Sequence, residues 1–147
     1  MLFCFLIPLQ CFIIGDNQGL GIQGALYRYQ MTIHGDSLIP ITYEIEYIIL
    51  GLYSGKTALS VILWVLGTLI LAGTTAGALI SLNRFSHRTV DFLIIGIASS
   101  CISYFLSCVV WYGMFFSSPA GTCLPLGILL LTIYVIFLFM SRIYSSD

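Results

Sequence analysis

Three acidic residues and two histidines are the side chains best suited to acid–base or metal chemistry. Asp36, Glu44 and Glu46 together offer carboxylate oxygens, which are the ligands that hard cations prefer. A solvated surface is the simpler interpretation of these acids. His34 and His87 have no second histidine or cysteine at ligand spacing. The serines have no nearby histidine–aspartate constellation for nucleophilic catalysis. We therefore expect a protein that is not an enzyme.

Five cysteines are spread along the chain, and none belongs to a C-x-x-C pair. A redox dithiol or a zinc knuckle usually needs that spacing, so neither is indicated. Cys101 and Cys108 are two helical turns apart and are too distant to bond to each other. A disulfide between Cys11 and Cys123 stays open as an alternative to two buried thiols. We expect no catalytic residue, no metal site and no cofactor.

The composition is that of a membrane protein. Of the 147 residues, 59% are hydrophobic and 7% are charged, and the mean hydropathy is +1.05. A soluble domain carries about 25% charged residues, so lipid must replace water around much of this surface. The net charge of −1 excludes the clustered basic residues that indicate a nucleic-acid partner.

Three apolar runs are long enough to cross a bilayer, since a spanning helix needs about 20 residues. They cover residues 57–82, 90–116 and 124–140. A shorter run at residues 1–15 is weakened by Pro8 and Gln10, but it lacks the basic start and the cleavage site of a signal peptide. We predict a single membrane domain with four transmembrane helices at these runs. The connections are then an outer segment over 16–56, an inner loop over 83–89, an outer loop over 117–123 and an inner tail over 141–147.

Basic residues indicate the orientation. Arg84, His87 and Arg88 lie between the predicted second and third spans, over 57–82 and 90–116, and Arg142 follows the last run. By the positive-inside rule, these ends face the cytoplasm. We predict a multi-pass protein with both termini cytoplasmic and residues 16–56 extracytoplasmic. Residues 84, 87 and 88 are also candidates for binding anionic lipid head groups, although a role in topology alone is simpler.

The outer segment changes from unbroken apolar residues to strict alternation. Every second residue over 27–33 and over 39–47 is apolar or aromatic, with a His-Gly-Asp-Ser turn between the two runs. This period of two predicts a β-hairpin. The register that keeps all apolar residues on one face also places Arg28 opposite Glu44. Because a two-stranded hairpin is marginal alone, its apolar face must rest on the helices, a third strand or another protein.

The predicted hairpin carries the residues best suited to recognise a partner. Tyrosine combines an apolar ring with a hydroxyl group, which suits the boundary between lipid and water. The candidate partner-binding residues are Tyr27, Tyr29, Tyr43, Tyr47, Arg28, Glu44 and Glu46. A cap that only covers the helices is the simpler interpretation of the same residues.

Small residues form stripes on two of the predicted helices. Small residues four positions apart allow helix backbones to approach closely. The candidate packing residues are Gly73, Gly77 and Ser81 on the second helix, and Gly96, Ser100, Ser103 and Ser107 on the third. We expect these stripes to pack within one bundle. Self-association and the lining of a polar conduit are the alternatives.

The order of these elements resembles the claudin-type tetraspan layout, with a short first span, an outer β segment, three further spans and a short second outer loop. The resemblance covers the whole topology and implies an integral membrane, mainly α-helical protein with a four-helix bundle and an extracytoplasmic β-hairpin between helices 1 and 2. The claudin first-loop signature of Trp and two Cys is absent, because residues 16–56 contain neither residue type. No claudin functional residue is therefore assigned to this chain.

The leading hypothesis is a non-enzymatic membrane protein whose outer β-hairpin mediates self-association or binds a partner. One alternative is an oligomeric channel or a conduit for lipid or small solutes along the polar stripe of the third helix. Another is a membrane enzyme that uses the outer acidic residues. The expected partners are membrane lipids and either a second copy or another membrane protein, but not nucleic acid.

Overall fold

The computed structural model describes residues 3–15, 18–81, 87–119 and 121–144. In this part of the chain, helices predominate and an antiparallel sheet of six strands covers one end of them. The helices are α1 (Phe3–Leu6), α2 (Ile41–Ile49), α3 (Gly55–Ile80), α4 (His87–Tyr112) and α5 (Leu126–Tyr144). The strands are β1 (Gln10–Ile14), β2 (Gly19–Gln23), β3 (Tyr27–Thr32), β4 (Gly35–Pro40), β5 (Ser117–Ser118) and β6 (Gly121–Leu124).

Three of the described helices are long and apolar enough to cross a membrane, as the long apolar runs predicted. The spanning parts are Gly55–Ile80, Arg88–Tyr112 and Leu126–Ile143, with mean hydropathies of 2.0, 2.2 and 2.3. The ends of the helices differ from the predicted ends by a few residues. Most of the predicted inner loop and the last residues of the predicted inner tail lie outside the described residues.

The predicted first helix over residues 1–15 is not helical over most of its length. Only Phe3–Leu6 forms a helical turn, and Gln10–Ile14 is a strand. Pro8 explains the break, because proline has no backbone N–H and disfavours helical geometry at the residue before it. The remaining turn is far shorter than the roughly 20 residues that a spanning helix needs.

The outer segment is larger than the predicted hairpin. It contains three strands, β2, β3 and β4, together with α2, and the second predicted strand over 39–47 is wrong because residues 41–49 are helical. Pro40 ends β4 and is the N-cap of α2. The observed register pairs Arg28 with Ile39 rather than with Glu44. The predicted strand pairing is therefore also wrong.

One sheet combines β1, the three strands of the predicted outer segment and the two strands around the predicted outer loop. Its strand order is β4-β3-β2-β1-β6-β5. β1 pairs with β6 so that Phe12 lies opposite Cys123 and Cys11 lies opposite Leu124. Because adjacent residues of a strand point to opposite faces, Cys11 and Cys123 face away from each other. Both are free thiols, so the structure does not contain the disulfide left open above.

The core lies between α3 and α4 and beneath the sheet. Its largest fully buried side chains include Trp64, Leu71, Ile97 and Tyr104. Residues from β1 and β6 extend this core, so the sheet and the helices share one apolar interior. At the end of the bundle opposite the sheet, an ion pair joins α5 to α4, with Arg142 Nε 2.6 Å from Asp91 Oδ1.

Candidate functional site

The inner face of the sheet carries a row of polar side chains that points into the helices. Gln10, Gln23 and Arg28 occupy neighbouring positions on β1, β2 and β3. Both glutamines are buried. Gln10 Nε2 donates to Gln23 Oε1 over 2.5 Å, and Arg28 Nη2 donates to the same oxygen over 3.3 Å. Burial of such groups is tolerated because they bond to one another.

Arg28 is enclosed by aromatic rings and a carboxylate. Its guanidinium carbon lies 5.6 Å from the ring centroid of Trp64 and 5.1 Å from that of Trp111. Its Nη1 atom lies 2.9 Å from Glu44 Oε1, and the two side chains are 11% and 0% exposed. Tryptophan is the best aromatic partner for a cation. The charge of Arg28 is thus compensated by α2, α3 and α4 together.

Burial also changes the acid–base behaviour of this group of residues. Desolvation raises the pKa of Glu44 above its usual value, and the smaller opposing effect of the Arg28 charge does not cancel that rise. The pKa of Tyr53 is raised, first by burial and then by the charge of Glu44. A buried carboxylate beside a cation is one sign of a functional site, but ion pairs that only stabilise structure behave similarly.

Gln10 connects this polar row to two cysteines. Its Oε1 atom accepts hydrogen bonds from the thiols of Cys108 on α4 and Cys123 on β6, with lengths of 2.7 and 3.1 Å. Both thiols are buried. Gln10 therefore links β1, β2, α4 and β6 through its side chain.

The turn between β2 and β3 enters deeply between the helices. Trp64 Nε1 donates to the Gly24 carbonyl over 3.0 Å, and Thr68 Oγ1 donates to the Ala25 carbonyl over 2.8 Å. Trp64 and Thr68 are about 14 and 20 Å along α3 from its first residue, at 1.5 Å of rise per residue. The sheet is therefore attached within the bundle and not only at its end.

The opposite side of the sheet is apolar and largely uncovered. We call it the outer apolar face; it consists of Cys11, Ile13, Leu20, Ile22, Tyr29, Met31, Leu38 and Leu124, which alternate with the inner row along their strands. A hollow of about 630 Å³ lies over its centre. Tyr29 Oη donates to Asp36 Oδ2 at one corner over 3.1 Å, which raises the pKa of Tyr29.

The predicted partner-binding residues divide between the surface and the interior. Arg28 and Glu44 are inside, as described above. Tyr43 and Glu46 are exposed on α2, whereas Tyr27 and Tyr29 are half-buried on β3. Tyr47 is also half-buried, and its ring packs edge-on against Tyr53 with the centroids 5.4 Å apart.

The polar stripe of α4 contacts α3. Ser100 and Ser103 donate to the carbonyls of Gly67 and Leu63, over 2.9 and 2.7 Å. Ser107 donates to the Ser60 carbonyl over 2.8 Å. These hydroxyls bond within the chain, which argues against a conduit along the stripe.

The glycines of the stripes differ in their surroundings. A Cβ atom on Gly96 would collide with Thr74, and one on Gly77 would lie 2.8 Å from the Phe92 ring. Gly73 has open space in the same position. Ser81 bonds to the Gly77 carbonyl of its own helix.

The described residues include no metal-binding group around the predicted acidic residues, and they cover little of the basic loop. The described part of the chain contains no group of three or more His, Cys, Asp or Glu side chains able to hold a metal ion. Arg84 and the side chain of His87 lie outside the described residues, and Arg88 is exposed at the start of α4.

We call the interacting residues around Arg28 the inner cluster; they are Gln10, Gln23, Arg28, Glu44, Tyr53, Trp64 and Trp111. Sequence reasoning did not identify several of them. Gln10 and Gln23 were not assigned to a site, and Trp64 and Tyr53 were not connected to Arg28. The available signal was weak: Gln10 is an isolated polar residue in an apolar run. Comparisons with protein families, curated proteins and solved structures found no match to this chain.

Proposed function

We propose that this chain is a non-enzymatic integral membrane protein that self-associates through its outer sheet. The contact surface is the outer apolar face, and the occupant is the same face of a second copy. The inner cluster holds the sheet on the helices and thereby presents this face in a fixed position. The claudin-type order of segments is part of the proposal, with residues 1–15 in the place of the first span and contributing β1 to the sheet.

The carrying observation is the exposure of large apolar side chains on a regular sheet. Leu20, Met31 and Leu38 are 60%, 51% and 62% exposed. Contiguous apolar patches of this kind mark contacts with proteins or membranes. Strand pairing satisfies the backbone of the central strands, so side chains rather than free backbone groups determine what binds this face.

The position of the face favours protein over lipid as the occupant. Cys108, which bonds to Gln10, is four residues before the end of α4. The strands continue outward from there, because β6 leads through Pro125 into α5 at the bilayer end of the sheet. The row formed by Ile13, Leu20 and Met31 is therefore about 10 Å beyond Gln10, at 3.3 Å per residue.

Lipid tails do not reach that far. The spanning part of α4 has 25 residues, or about 37 Å, whereas the hydrocarbon core is about 30 Å thick. We infer that the excess length lies at this end, so that the end of α4 reaches the head-group region and the outer row lies further out still. Those side chains lose contact with water only if another protein covers them.

Charge favours a second copy as that protein. The charged residue on this side of the sheet is Asp36, which pairs with Met31 at the β4 edge and accepts a hydrogen bond from Tyr29. In a two-fold contact the same surface meets itself, so a face whose centre is apolar and uncharged is complementary to its own copy there. A partner selected by charge has nothing to pair with at the centre.

Cys11 provides a test because it lies on this face. We would replace Cys4 with Ser, place the full chain in lipid nanodiscs or proteoliposomes and add a short bis-maleimide. We expect a covalent dimer that Cys11→Ser abolishes, because Cys101, Cys108 and Cys123 are buried. Leu20→Lys should abolish the same dimer by placing a charge in the contact.

Leu52→Lys is the matched control, since Leu52 is 67% exposed but precedes α3 and is not in the sheet. The control should dimerise like the parent chain. If no dimer forms, or if Leu20→Lys and Leu52→Lys dimerise equally, the outer apolar face is not a self-association surface.

We propose the orientation predicted from the basic residues, with the sheet extracytoplasmic and the Asp91–Arg142 end cytoplasmic. The test uses a cysteine-free chain that carries either Ser54→Cys or Ser141→Cys, both of which are exposed positions. A membrane-impermeant maleimide added to intact cells should label position 54 and not position 141. The reverse pattern would overturn this orientation.

A further inference from the structure

We propose that Cys108 and Cys123 form an intramolecular disulfide when the chain folds under oxidising conditions. Both thiols donate to the same atom, Gln10 Oε1, over 2.7 and 3.1 Å. Two bonds of these lengths to one atom place the sulfurs less than about 6 Å apart. Rotation of the two side chains towards each other would bring the sulfurs to the roughly 2 Å of a disulfide.

The fold selects this pair among the cysteines whose side chains are described. Cys11 precedes Phe12, the partner of Cys123 in the sheet, and therefore points to the outer apolar face. Cys101 lies on α4 two helical turns from Cys108, and is consequently remote from β6. Cys108 and Cys123 donate to the same hydrogen-bond acceptor.

The disulfide would attach the sheet covalently to a spanning helix. Fourteen residues separate the two cysteines along the chain, and β6 pairs directly with β1. A bond between α4 and β6 therefore reinforces the attachment that Gln10 now makes through hydrogen bonds. It would hold the outer apolar face in position even where the inner cluster is weakened.

The oxidant is a disulfide, either a small one such as oxidised glutathione or one in a protein. One cysteine thiolate attacks it and forms a mixed disulfide, which releases one thiol. The second cysteine thiolate then attacks the mixed disulfide and releases the second thiol. In total, two protein thiols become one S–S bond, and one S–S bond of the oxidant becomes two thiols.

Burial determines when this exchange takes place. Cys108 and Cys123 are 3% and 8% exposed in the folded chain, and buried thiols react slowly because exchange requires access. The exchange therefore precedes closure of the sheet over α4. In cells it also requires the extracytoplasmic location of the sheet, and for that part the inference rests on the proposed orientation.

The decisive experiment synthesises the full chain without cells, directly into lipid nanodiscs, in a glutathione redox buffer. Free thiols are then blocked with a maleimide in denaturant, and peptides are mapped without reduction. We expect a Cys108–Cys123 peptide, and a fall in blocked thiols from the five of the sequence to three. Synthesis with dithiothreitol should give five blocked thiols.

Cys108→Ser is the matched variant, because serine still offers a hydrogen-bond donor to Gln10 but cannot form the disulfide. In this variant Cys123 should be blocked by maleimide in glutathione buffer. The proposal is overturned if Cys108 and Cys123 of the parent chain are both blocked after synthesis in that buffer. It is also overturned if either of them is linked mainly to Cys4, Cys11 or Cys101.

Two readouts separate this inference from the proposals above. The disulfide is within one chain, so it is present in monomers, whereas self-association is measured by crosslinking through Cys11. In cells, immediate alkylation at lysis should recover the same linked peptide. A pair that is linked in nanodiscs but free in cells supports the disulfide and contradicts the proposed orientation.

Discussion

Arg28 Nη1 and Glu44 Oε1 lie 2.9 Å apart, and this contact joins the sheet to α2 instead of joining two strands. Glu44 has no exposed surface in the described structure. The desolvation of two buried charges offsets much of their attraction, so such a pair contributes little net stability over an apolar pair of the same size. Its value lies in specificity, because burial of the Arg28 cation is costly when position 44 offers it no oxygen.

Breaking this pair from one side should destabilise the protein strongly. Glu44→Leu leaves the Arg28 cation buried without a carboxylate, and we expect a loss of about 3–5 kcal/mol in the free energy of unfolding. The double variant Arg28→Met with Glu44→Leu should recover most of this loss. Unfolding in mixed detergent micelles, followed by tryptophan fluorescence, measures both.

The ion pair at the opposite end of the bundle serves as the control. The side chains of Arg142 and Asp91 are 41% and 38% exposed, so water competes for both. Arg142→Ala should change the free energy of unfolding by no more than about 1 kcal/mol. Equal losses from Glu44→Leu and Arg142→Ala would contradict the role of burial argued here.

Glu44 should also give the fold a pH dependence. Its pKa is raised in the folded state relative to the usual 4.5, so the folded protein binds a proton more tightly than the unfolded chain does. Its contribution to stability is therefore fully present below pH 4.5. It is lost as the pH rises through the raised pKa, and above that value the curve flattens.

Glu44→Gln should remove this part of the pH dependence, because the amide does not titrate but still offers an oxygen to Arg28. The exposed Glu46 on the same helix provides the comparison, and Glu46→Gln should leave the curve of the parent chain unchanged. A difference curve, parent minus Glu44→Gln, that rises with pH above 4.5 would show that the sign is wrong.

The three long helices could be predicted from sequence because an uninterrupted apolar run of that length has few other structures. The run at residues 10–14, Gln-Cys-Phe-Ile-Ile, was predicted to be part of a helix and not recognised as a strand. A short apolar run fits a buried strand and a helix equally well. Its partner β2 is rich in glycine, and the need for Gly21 appears only in three dimensions, where the Phe12 ring occupies the space of a Cβ atom.

The inner cluster shows why part of a site can be predicted without its geometry. The association of Arg28 with Glu44 was predicted from alternation, but as a contact across two strands. Residues 41–47 have an apolar residue at every second position, and Ile41 and Ile48 are also two helical turns apart on one face. Pro40 favours the helical alternative, since it cannot donate to a strand partner and suits a helix start.

The close approach of α3 and α4 should depend on Gly96 of α4 and not on Gly73 of α3. A Cβ atom at Gly96 would collide with the Thr74 side chain, whereas Gly73 faces open space. Gly96→Ala should destabilise the bundle by about 1–3 kcal/mol through overpacking, and Gly73→Ala should have almost no effect. Thermal unfolding in one detergent measures both, and equal melting temperatures would contradict this packing.

Trp64 should contribute through its N–H group as well as through its ring. The indole donates to the buried Gly24 carbonyl over 3.0 Å while its ring faces Arg28. Trp64→Phe keeps an aromatic ring but leaves that carbonyl without this donor, which costs about 1–3 kcal/mol. Trp111→Phe also keeps a ring near Arg28 and does not touch the Gly24 bond, so it should be milder. Because the lost bond holds the β2–β3 turn against α3, hydrogen exchange at residues 24–27 should accelerate in Trp64→Phe. Unchanged exchange there, with stability lost equally in both variants, would assign the effect to the rings alone.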